Sequence, residues 1–189
     1  LTLRDRLLIE PELIAYRAGM IPDPWQVELL REPGYTAACV SRQKGKTLVL
    51  GVKAIQTAIC EAPADVIYTA QTLRNVKEFI RRTQQLYGAL KDRKRIRCDI
   101  KNLDIEEKLA VEDWGRLATA TKENVFEFHL SNGSRIAGIP PIEQTARGYD
   151  KIRRVIIDEA SRIPEDYFSS IGALLSTTGG PMDVYSTPF

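Results

Sequence analysis

The chain has 189 residues, of which 43% are hydrophobic and 28% are charged, and its formal net charge is only +2. This length predicts one domain with a substantial core, and the near-neutral charge excludes a global nucleic-acid signature, so any such contact must come from local patches. No apolar run reaches the roughly 18 residues of a membrane span. Three dispersed cysteines without a CxxC pair argue against a disulfide framework or a zinc site and fit a reducing cytosol.

Helical spacing of apolar residues alternates along the chain with short strand-like runs. Helices are predicted, in chain order, at residues 1–20 with a break at Pro11, 25–31, 47–61, 73–90 and 164–175. Strands are predicted at 35–40, 66–70, 124–130, 135–139, 154–158 and 182–187, with the third and fourth joined as a hairpin around Asn132-Gly133. The first strand is expected to be buried. This alternation predicts an α/β fold of three layers, with helices on both faces of a mostly parallel central sheet.

A Gly-Lys-Thr loop lies between the first predicted strand and the helix that follows it. Gly45 lets the backbone approach a phosphate closely, Lys46 reaches the outer phosphates, and Thr47 offers a hydroxyl to Mg²⁺ at a helix N-terminus. The strict pattern G-x-x-x-x-G-K-[ST] fails, because Val40 occupies its first position. On this motif alone, a surface turn with a solvated lysine stays open as the alternative.

An acidic pair follows the apolar run at residues 155–157. Carboxylates at the C-terminal end of a buried parallel strand lie where such sheets bind ligands. We therefore expect Asp158 to hold Mg²⁺, largely through water, and Glu159 to polarise the attacking water as a general base. The alternative, an acidic pair that only serves a helix dipole, is made minor by the loop a hundred residues earlier. Both motifs together predict an ATP-hydrolysing P-loop NTPase.

Five motifs follow one another in a fixed order. They are Pro24-Trp25-Gln26, Ser41-Arg42-Gln43-Lys44-Gly45-Lys46-Thr47, Thr145-Ala146-Arg147-Gly148, Ile156-Ile157-Asp158-Glu159-Ala160 and Ser186-Thr187-Pro188. This order resembles the N-terminal ATPase domain of the large terminase subunits of tailed double-stranded DNA bacteriophages. Arg42 stands where other P-loops often carry Gly, so the departure at Val40 becomes part of the resemblance. The resemblance covers residue 23 to the C-terminus and implies a P-loop NTPase fold of the ASCE, RecA-like type.

The resemblance also implies the roles of individual residues, with ATP and Mg²⁺ as cofactors. Trp25 and Gln26 would recognise adenine, because an amide can bond the base edge in both directions and an aromatic ring can pack on it. Ser186 and Thr187 would couple hydrolysis to movement. The loop residues Ser41, Arg42, Gln43, Lys44, Gly45, Lys46 and Thr47 would bind the phosphates, Thr47 and Asp158 the metal, and Glu159, Lys46, Arg42 and Arg147 would act in catalysis.

Two arginines compete to neutralise the charge of the transition state, an effect worth roughly 10³–10⁵ in rate. Arg42 lies inside the loop and suits a cis phosphate contact or sensor. Arg147 precedes the acidic strand in a glycine-containing loop, and our hypothesis is that it reaches a neighbouring subunit's site as a trans finger. The alternative for Arg147 is an ordinary loop arginine.

The resemblance divides the chain into a helical lead-in at residues 1–22 and the ATPase domain at 23–189. A ribonuclease-H-like nuclease domain is expected downstream, and this segment itself is expected not to cut DNA. The start at Leu1, without Met or a signal-peptide pattern, predicts a piece of a longer chain. The implied partners are double-stranded DNA, a portal protein and the small terminase subunit, in the host cell cytoplasm and without a membrane. A homo-oligomeric ring is implied on the procapsid, and a monomer in isolation stays open.

Two other interpretations stay open. A helicase-like P-loop translocase would also suit the glutamine ahead of the loop and the acidic pair, and a regulatory nucleotide-binding protein with little turnover is a third reading. Nine Lys or Arg residues but only two acids lie between Arg74 and Arg97, which suits a DNA channel or a portal contact, or only a solvated helix face. His129 is expected to be structural.

Overall fold

A seven-stranded sheet forms the centre of the computed structural model, which describes residues 2–91, 112–141 and 149–188. The strands are β1 (Thr36–Cys39), β2 (Asp65–Ala70), β3 (Ala120–Glu123), β4 (Glu127–Leu130), β5 (Arg135–Ile139), β6 (Ile152–Asp158) and β7 (Met182–Ser186), in the spatial order β1-β7-β6-β2-β5-β4-β3. The helices are α1 (Leu3–Ile9), α2 (Leu13–Arg17), α3 (Pro24–Arg31), α4 (Lys46–Cys60), α5 (Leu73–Leu90) and α6 (Glu165–Leu175). None of these helices combines the length and hydropathy needed to cross a membrane.

Five neighbouring strands run parallel, in the spatial order β1-β7-β6-β2-β5. Strands β4 and β3 extend the sheet beyond β5 and are antiparallel. The residues of β2 are all buried, as are all but one of β6, because both faces of these central strands are covered. One core cluster includes residues of α1 to α5, and a second includes residues of β6 and α6. The predicted three-layer α/β fold with a mostly parallel sheet is therefore confirmed.

The lead-in helices α1 and α2 pack against α4 and contribute to the larger core through Leu7, Leu13 and Ile14. Arg17 at the end of α2 is buried, and its Nε donates a hydrogen bond of 2.9 Å to the carbonyl oxygen of Leu90 at the end of α5. These contacts join the lead-in to the same core as the helices that flank the phosphate loop.

Two sheet features differ from the sequence prediction. The strand expected to be buried, β1, has only β7 as a neighbour among the described strands, and Ala37 and Cys39 are exposed. An apolar run predicts a strand, but it does not show whether that strand lies in the centre or at the edge of the sheet. The strand β3 was not predicted, because its four side chains are all exposed and carry no apolar alternation.

Candidate nucleotide site

The C-terminal ends of four adjacent parallel strands meet at one edge of the sheet, as they do in other open α/β sheets that bind ligands there. The loop at residues 40–45 follows β1, and Ser186 and Thr187 lie at the end of β7. Asp158 is the last residue of β6, and β2 leads into the start of α5. Topology thus brings together segments that are up to about 150 residues apart in the sequence.

The loop turns into α4 through two residues with positive φ angles, Gln43 at 62° and Gly45 at 81°. Such angles are uncommon for a residue with a side chain, and Gly45 adopts its angle without a steric penalty. A Cβ atom at Gly45 would also collide with Nε2 of Gln26. The backbone conformation therefore favours glycine at residue 45, and a larger residue there would also displace the amide of Gln26.

Gln26 on α3 is 4% exposed and contacts the loop at residues 40–45. Its Nε2 donates to the carbonyl oxygens of Lys44 and Gly45 at 3.2 and 3.4 Å, and its Oε1 accepts the N–H of Asp23 at 2.8 Å. Trp25 is half-buried and packs against the larger core. The Nε2 end of the Gln26 amide thus braces the loop and the Oε1 end caps α3, and its adenine contact stays a prediction.

Lys46 and Asp158 face each other across the site, with 2.6 Å between Nζ and Oδ1. Asp158 Oδ1 also accepts the backbone N–H of Glu159 at 2.8 Å, and Oδ2 accepts the hydroxyl of Tyr68 at 3.1 Å. Burial, reinforced by the Asp158 charge, raises the pKa of Tyr68 well above its ordinary value. The phenol therefore stays protonated and holds the carboxylate in a fixed orientation. The ring of Tyr68 stacks on Phe79 of α5 with 3.7 Å between centroids.

Glu159 has a φ angle of 53°, a left-handed conformation that is rare for a residue with a side chain. Its Oε2 accepts a hydrogen bond of 3.1 Å from Nδ2 of Asn75 in the first turn of α5. This bond fixes the carboxylate toward α5.

The predicted coupling residues lie beside the loop. Thr187 Oγ1 accepts a hydrogen bond of 3.2 Å from Lys46 Nζ, and Ser186 Oγ lies 2.8 Å from Ser161 Oγ in the turn after β6. The end of β7 is thus bonded both to the phosphate loop and to the segment that follows Glu159.

A cavity of about 500 Å³ connects these groups and is lined by residues 41–43 and 45–48, Asp158, Glu159 and Thr187. Arg42 is exposed at its rim, next to Glu159 and Thr187. Arg147 lies outside the described residues, as does the charge run at 92–97. The structure therefore brings together the predicted loop, the acidic pair and the coupling residues. Lys44 belongs to the same loop but does not line the cavity, and its carbonyl oxygen accepts the hydrogen bond from Gln26.

The side chains of this cavity fit a nucleoside triphosphate with its metal. Lys46 and the N-terminus of α4 offer positive charge to phosphate oxygens. The carboxylate of Asp158 and the hydroxyl of Thr47 are oxygen ligands of the kind that Mg²⁺ prefers. The donor set therefore suits Mg²⁺ rather than a softer metal.

Sequence reasoning missed Tyr68 and Asn75, which hold the two carboxylates. Tyr68 stands in an apolar strand, where a buried phenol needs a polar partner, and that need was a usable signal. Asn75 gave no signal, because an amide in a first helical turn is common.

The fold and the site define a P-loop NTPase of the RecA-like class, a class of ATP-hydrolysing enzymes. The family model described as "RNA cytidine acetyltransferase NAT10/TcmA, helicase domain" matches residues 39–179. The chain belongs to this helicase-domain family. No curated protein sequence matches the chain.

Solved structures show the same fold in phage and yeast proteins. The large terminase ATPase domain of Thermus phage P74-26 is 19% identical, with a TM-score of 0.67 over 92% of this chain and 67% of that one. The HK97 bacteriophage large terminase is 13% identical, with a TM-score of 0.61 over 89% of this chain and 33% of that one. The yeast DEAD-box splicing factor Prp28 is 14% identical, with a TM-score of 0.51 over 99% and 44%. The resemblance to terminase ATPase domains is thus confirmed for the fold.

Proposed function

We propose that this chain is the ATPase domain of a viral terminase large subunit, which couples ATP hydrolysis to translocation of double-stranded DNA into a procapsid. The observation that carries the proposal is the convergence of Lys46, Asp158, Glu159 and Thr187 on one cavity. It occurs within a fold shared with the terminase ATPase domains of P74-26 and HK97.

Hydrolysis would use the residues as follows. Lys46 exchanges its bond to Asp158 for phosphate oxygens when ATP enters. Thr47 and Asp158 would hold Mg²⁺, which would supply positive charge to the phosphate oxygens. Glu159 accepts a proton from water while the water oxygen bonds to the γ-phosphorus, and the bond from that phosphorus to the bridging oxygen breaks. The products are ADP and inorganic phosphate.

The role of Glu159 is tested by Glu159→Gln in a phosphate-release assay. Loss of a general base lowers the rate by roughly 10²–10⁴, and binding of a fluorescent ATP analogue should persist, because the phosphate contacts are intact. Glu165→Gln on the exposed first turn of α6 is the matched control and should leave turnover unchanged. Unchanged turnover in Glu159→Gln would contradict the assignment. Chelation of Mg²⁺ should abolish hydrolysis in the wild type.

Arg147 is proposed as the trans finger and Arg42 as a cis phosphate contact. The position of Arg42 supports its part of this division, because Arg42 lines a cavity together with Glu159 and Thr187. Mixing Arg147→Ala with Glu159→Ala subunits on procapsids should restore hydrolysis, because the site of an Arg147→Ala subunit keeps Glu159 and receives Arg147 from a Glu159→Ala neighbour. Absence of rescue would count against trans action.

Gln26 and Trp25 are proposed to recognise adenine while Gln26 also braces the loop. Gln26→Ala should then raise the KM for ATP and reduce the preference of the enzyme for ATP over GTP. A change in KM that is equal for both nucleotides would restrict Gln26 to the bracing role.

The remaining assignments extend from the terminase proposal. Residues 1–22 would form a helical lead-in to the ATPase domain, and a nuclease domain would follow the ATPase domain. A portal protein and a small terminase subunit would be partners of a ring in the host cytoplasm. This segment alone would leave supercoiled plasmid DNA uncut in the presence of Mg²⁺ or Mn²⁺.

A helicase-like translocase is the second candidate. It is favoured by the helicase-domain family match over residues 39–179 and by the similarity to Prp28. The two candidates differ in their nucleic-acid ligand. Stimulation of ATP hydrolysis by double-stranded DNA supports the terminase reading, whereas stimulation by single-stranded RNA together with strand separation on a partial duplex supports the helicase reading.

A further inference from the structure

We propose that a second cavity beside the nucleotide cavity receives inorganic phosphate after hydrolysis, and that the guanidinium group of Arg162 binds it there. This exit cavity is lined by residues 42, 159, 161–162 and 186–188. The inference rests on the proposed function, in which Glu159 is the general base of ATP hydrolysis. It adds a second ligand site and a binding residue outside the nucleotide cavity.

The exit cavity and the nucleotide cavity share one wall. Arg42, Glu159 and Thr187 line both spaces, whereas Ser161 and Arg162 line only the exit cavity. The exit cavity has a volume of about 440 Å³. A water molecule takes up about 30 Å³ in the liquid, so the cavity has room for a phosphate ion together with several waters. An ion that passes Glu159 therefore enters a space large enough to hold it.

The chemistry of hydrolysis forms the product next to this wall. In an in-line displacement the water attacks opposite the bond that breaks, so the water and its general base lie on the far side of the γ-phosphorus from ADP. Phosphate is therefore released beside Glu159. Glu159 carries the proton taken from the water at that moment, so its carboxyl group is neutral and does not repel the departing anion.

Two arginine side chains give the exit cavity positive charge. Arg42 and Arg162 are exposed, and no acidic partner is found for either among the residues that the structure describes. Nη1 of Arg162 instead donates a hydrogen bond of 3.4 Å to Oε1 of Gln71, a neutral amide in the loop after β2. The main-chain N–H of Arg162 donates to the carbonyl oxygen of Glu159 at 2.9 Å, which places Arg162 one turn beyond the base. A guanidinium group suits a phosphate ion, because two of its N–H groups can bond to two phosphate oxygens.

The other flank of the nucleotide cavity attracts an anion less. Its lining there comes from α5, where Arg82 lies 2.6 Å from the carboxylate of Glu78. Arg81 contacts the same carboxylate at 2.7 Å. Hydrogen bonds from Arg81 and Arg82 lower the pKa of Glu78 to about 2, so the carboxylate stays charged and offsets one arginine charge. Arg162, which bonds to a neutral amide, therefore favours departure through the exit cavity.

Product inhibition measures the binding of inorganic phosphate to the ADP-bound enzyme. Added phosphate should inhibit steady-state hydrolysis by the wild type. We expect the inhibition constant to rise roughly ten-fold or more in Arg162→Gln, because the phosphate ion loses a hydrogen bond between charged groups. Arg162→Lys keeps the charge and should recover part of the affinity.

Arg153→Gln is the matched control, because it removes an exposed arginine from the other end of β6, and it should match the wild type. Binding of a fluorescent ATP analogue should be retained in all three variants, because neither Arg162 nor Arg153 lines the nucleotide cavity. That measurement also shows that each variant is folded.

Oxygen exchange distinguishes a transit site from a phosphate site that lies off the exit route. In water enriched in heavy oxygen, each reversal of hydrolysis before phosphate departs adds more of the heavy isotope to the released phosphate. Arg162→Gln should release phosphate with more heavy oxygen than the wild type does, since the product then stays longer beside ADP. A raised inhibition constant without a change in this exchange would overturn the transit role.

A labelled DNA duplex distinguishes the product from the phosphates of a nucleic acid. Weaker duplex binding by Arg162→Gln, with an unchanged inhibition constant for phosphate, would assign the cavity to a nucleic-acid backbone and overturn the proposal. Wild-type hydrolysis that phosphate does not inhibit, or an equal inhibition constant in Arg162→Gln, overturns the exit cavity alone. Absence of Glu159-dependent hydrolysis in the wild type overturns the proposed function and this inference together.

Discussion

Replacing Lys53 with methionine removes a fully buried ammonium group from the space between α4 and the sheet. Its Nζ donates to Asp183 Oδ1 at 2.7 Å, to Thr36 Oγ1 at 2.9 Å and to the carbonyl oxygen of Glu32 at 3.3 Å. Lys53 and Asp183 are both 0% exposed. Oδ2 of Asp183 accepts from Arg154 Nη1 at 2.5 Å. The substitution therefore leaves a buried carboxylate with one cationic partner instead of two.

Breaking a buried ion pair by removing one partner costs about 3–5 kcal/mol. Asp183 retains Arg154, so we expect the lower end, about 3 kcal/mol. For a chain of this size, each kcal/mol lowers Tm by roughly 2–4 °C, which predicts a loss of roughly 6–12 °C. Methionine keeps most of the aliphatic volume of lysine, so the loss reports the ammonium group rather than a cavity.

Urea unfolding followed by circular dichroism measures this loss, which should occur without a change in m value. Lys77→Met, at an exposed lysine on α5, is the control and should stay within about 0.5 kcal/mol of wild type. Combining Lys53→Met with Asp183→Asn should cost less than the sum of the single losses, by at least about 1 kcal/mol, because both remove the same contact. Wild-type stability in Lys53→Met would refute the reasoning, and additive losses would show that the two residues act independently.

Two further predictions concern the phosphate loop and alkaline stability. Gly45→Ala should weaken ATP binding about ten-fold or more, measured with a fluorescent analogue, because an alanine at φ 81° costs about 1–2 kcal/mol and its methyl group displaces the amide that braces the loop. Burial raises the pKa of Tyr87 and of Tyr167 to about 12, above the ordinary value of 10.0, so their contribution to stability is complete below pH 10 and is lost as the pH rises toward 12. The titration of each tyrosine should lower the free energy of unfolding by about 1.4 kcal/mol per pH unit between pH 10 and pH 12, measured by urea unfolding.

The Gly45→Ala prediction and the alkaline-stability prediction each have a matched control variant. Gly88→Ala adds a methyl group to an exposed position of α5 with no atom within 4 Å, so it should stabilise the helix and leave ATP binding unchanged. Nucleotide binding equal to wild type in Gly45→Ala would contradict the role of the loop turn. Tyr87→Phe should flatten the alkaline loss, and an unchanged slope would show that Tyr87 does not titrate with unfolding.

The sequence by itself determined most of the helices and strands, though not β3, and the chemical type of the site. Apolar spacing located α4 and α5 and the buried strand β6 nearly to the residue, because these long segments bury one face or both faces and so repeat at helical or strand period. The Gly-Lys-Thr loop and the acidic pair identified a phosphate site, since few other residue types offer a close backbone approach, a cation and a metal-binding carboxylate in that order.

Only the tertiary structure decided how the site is held. The bonds from Asn75 to Glu159, from Tyr68 to Asp158 and from Gln26 to the loop join residues 84, 90 and 18 positions apart. Local spacing does not encode such pairs, because they depend on which strands are neighbours. The position of β1 as an edge strand likewise depends on which strands are neighbours. Strand order is set by how the whole chain buries its apolar faces, and that is a property of the packed core rather than of any segment.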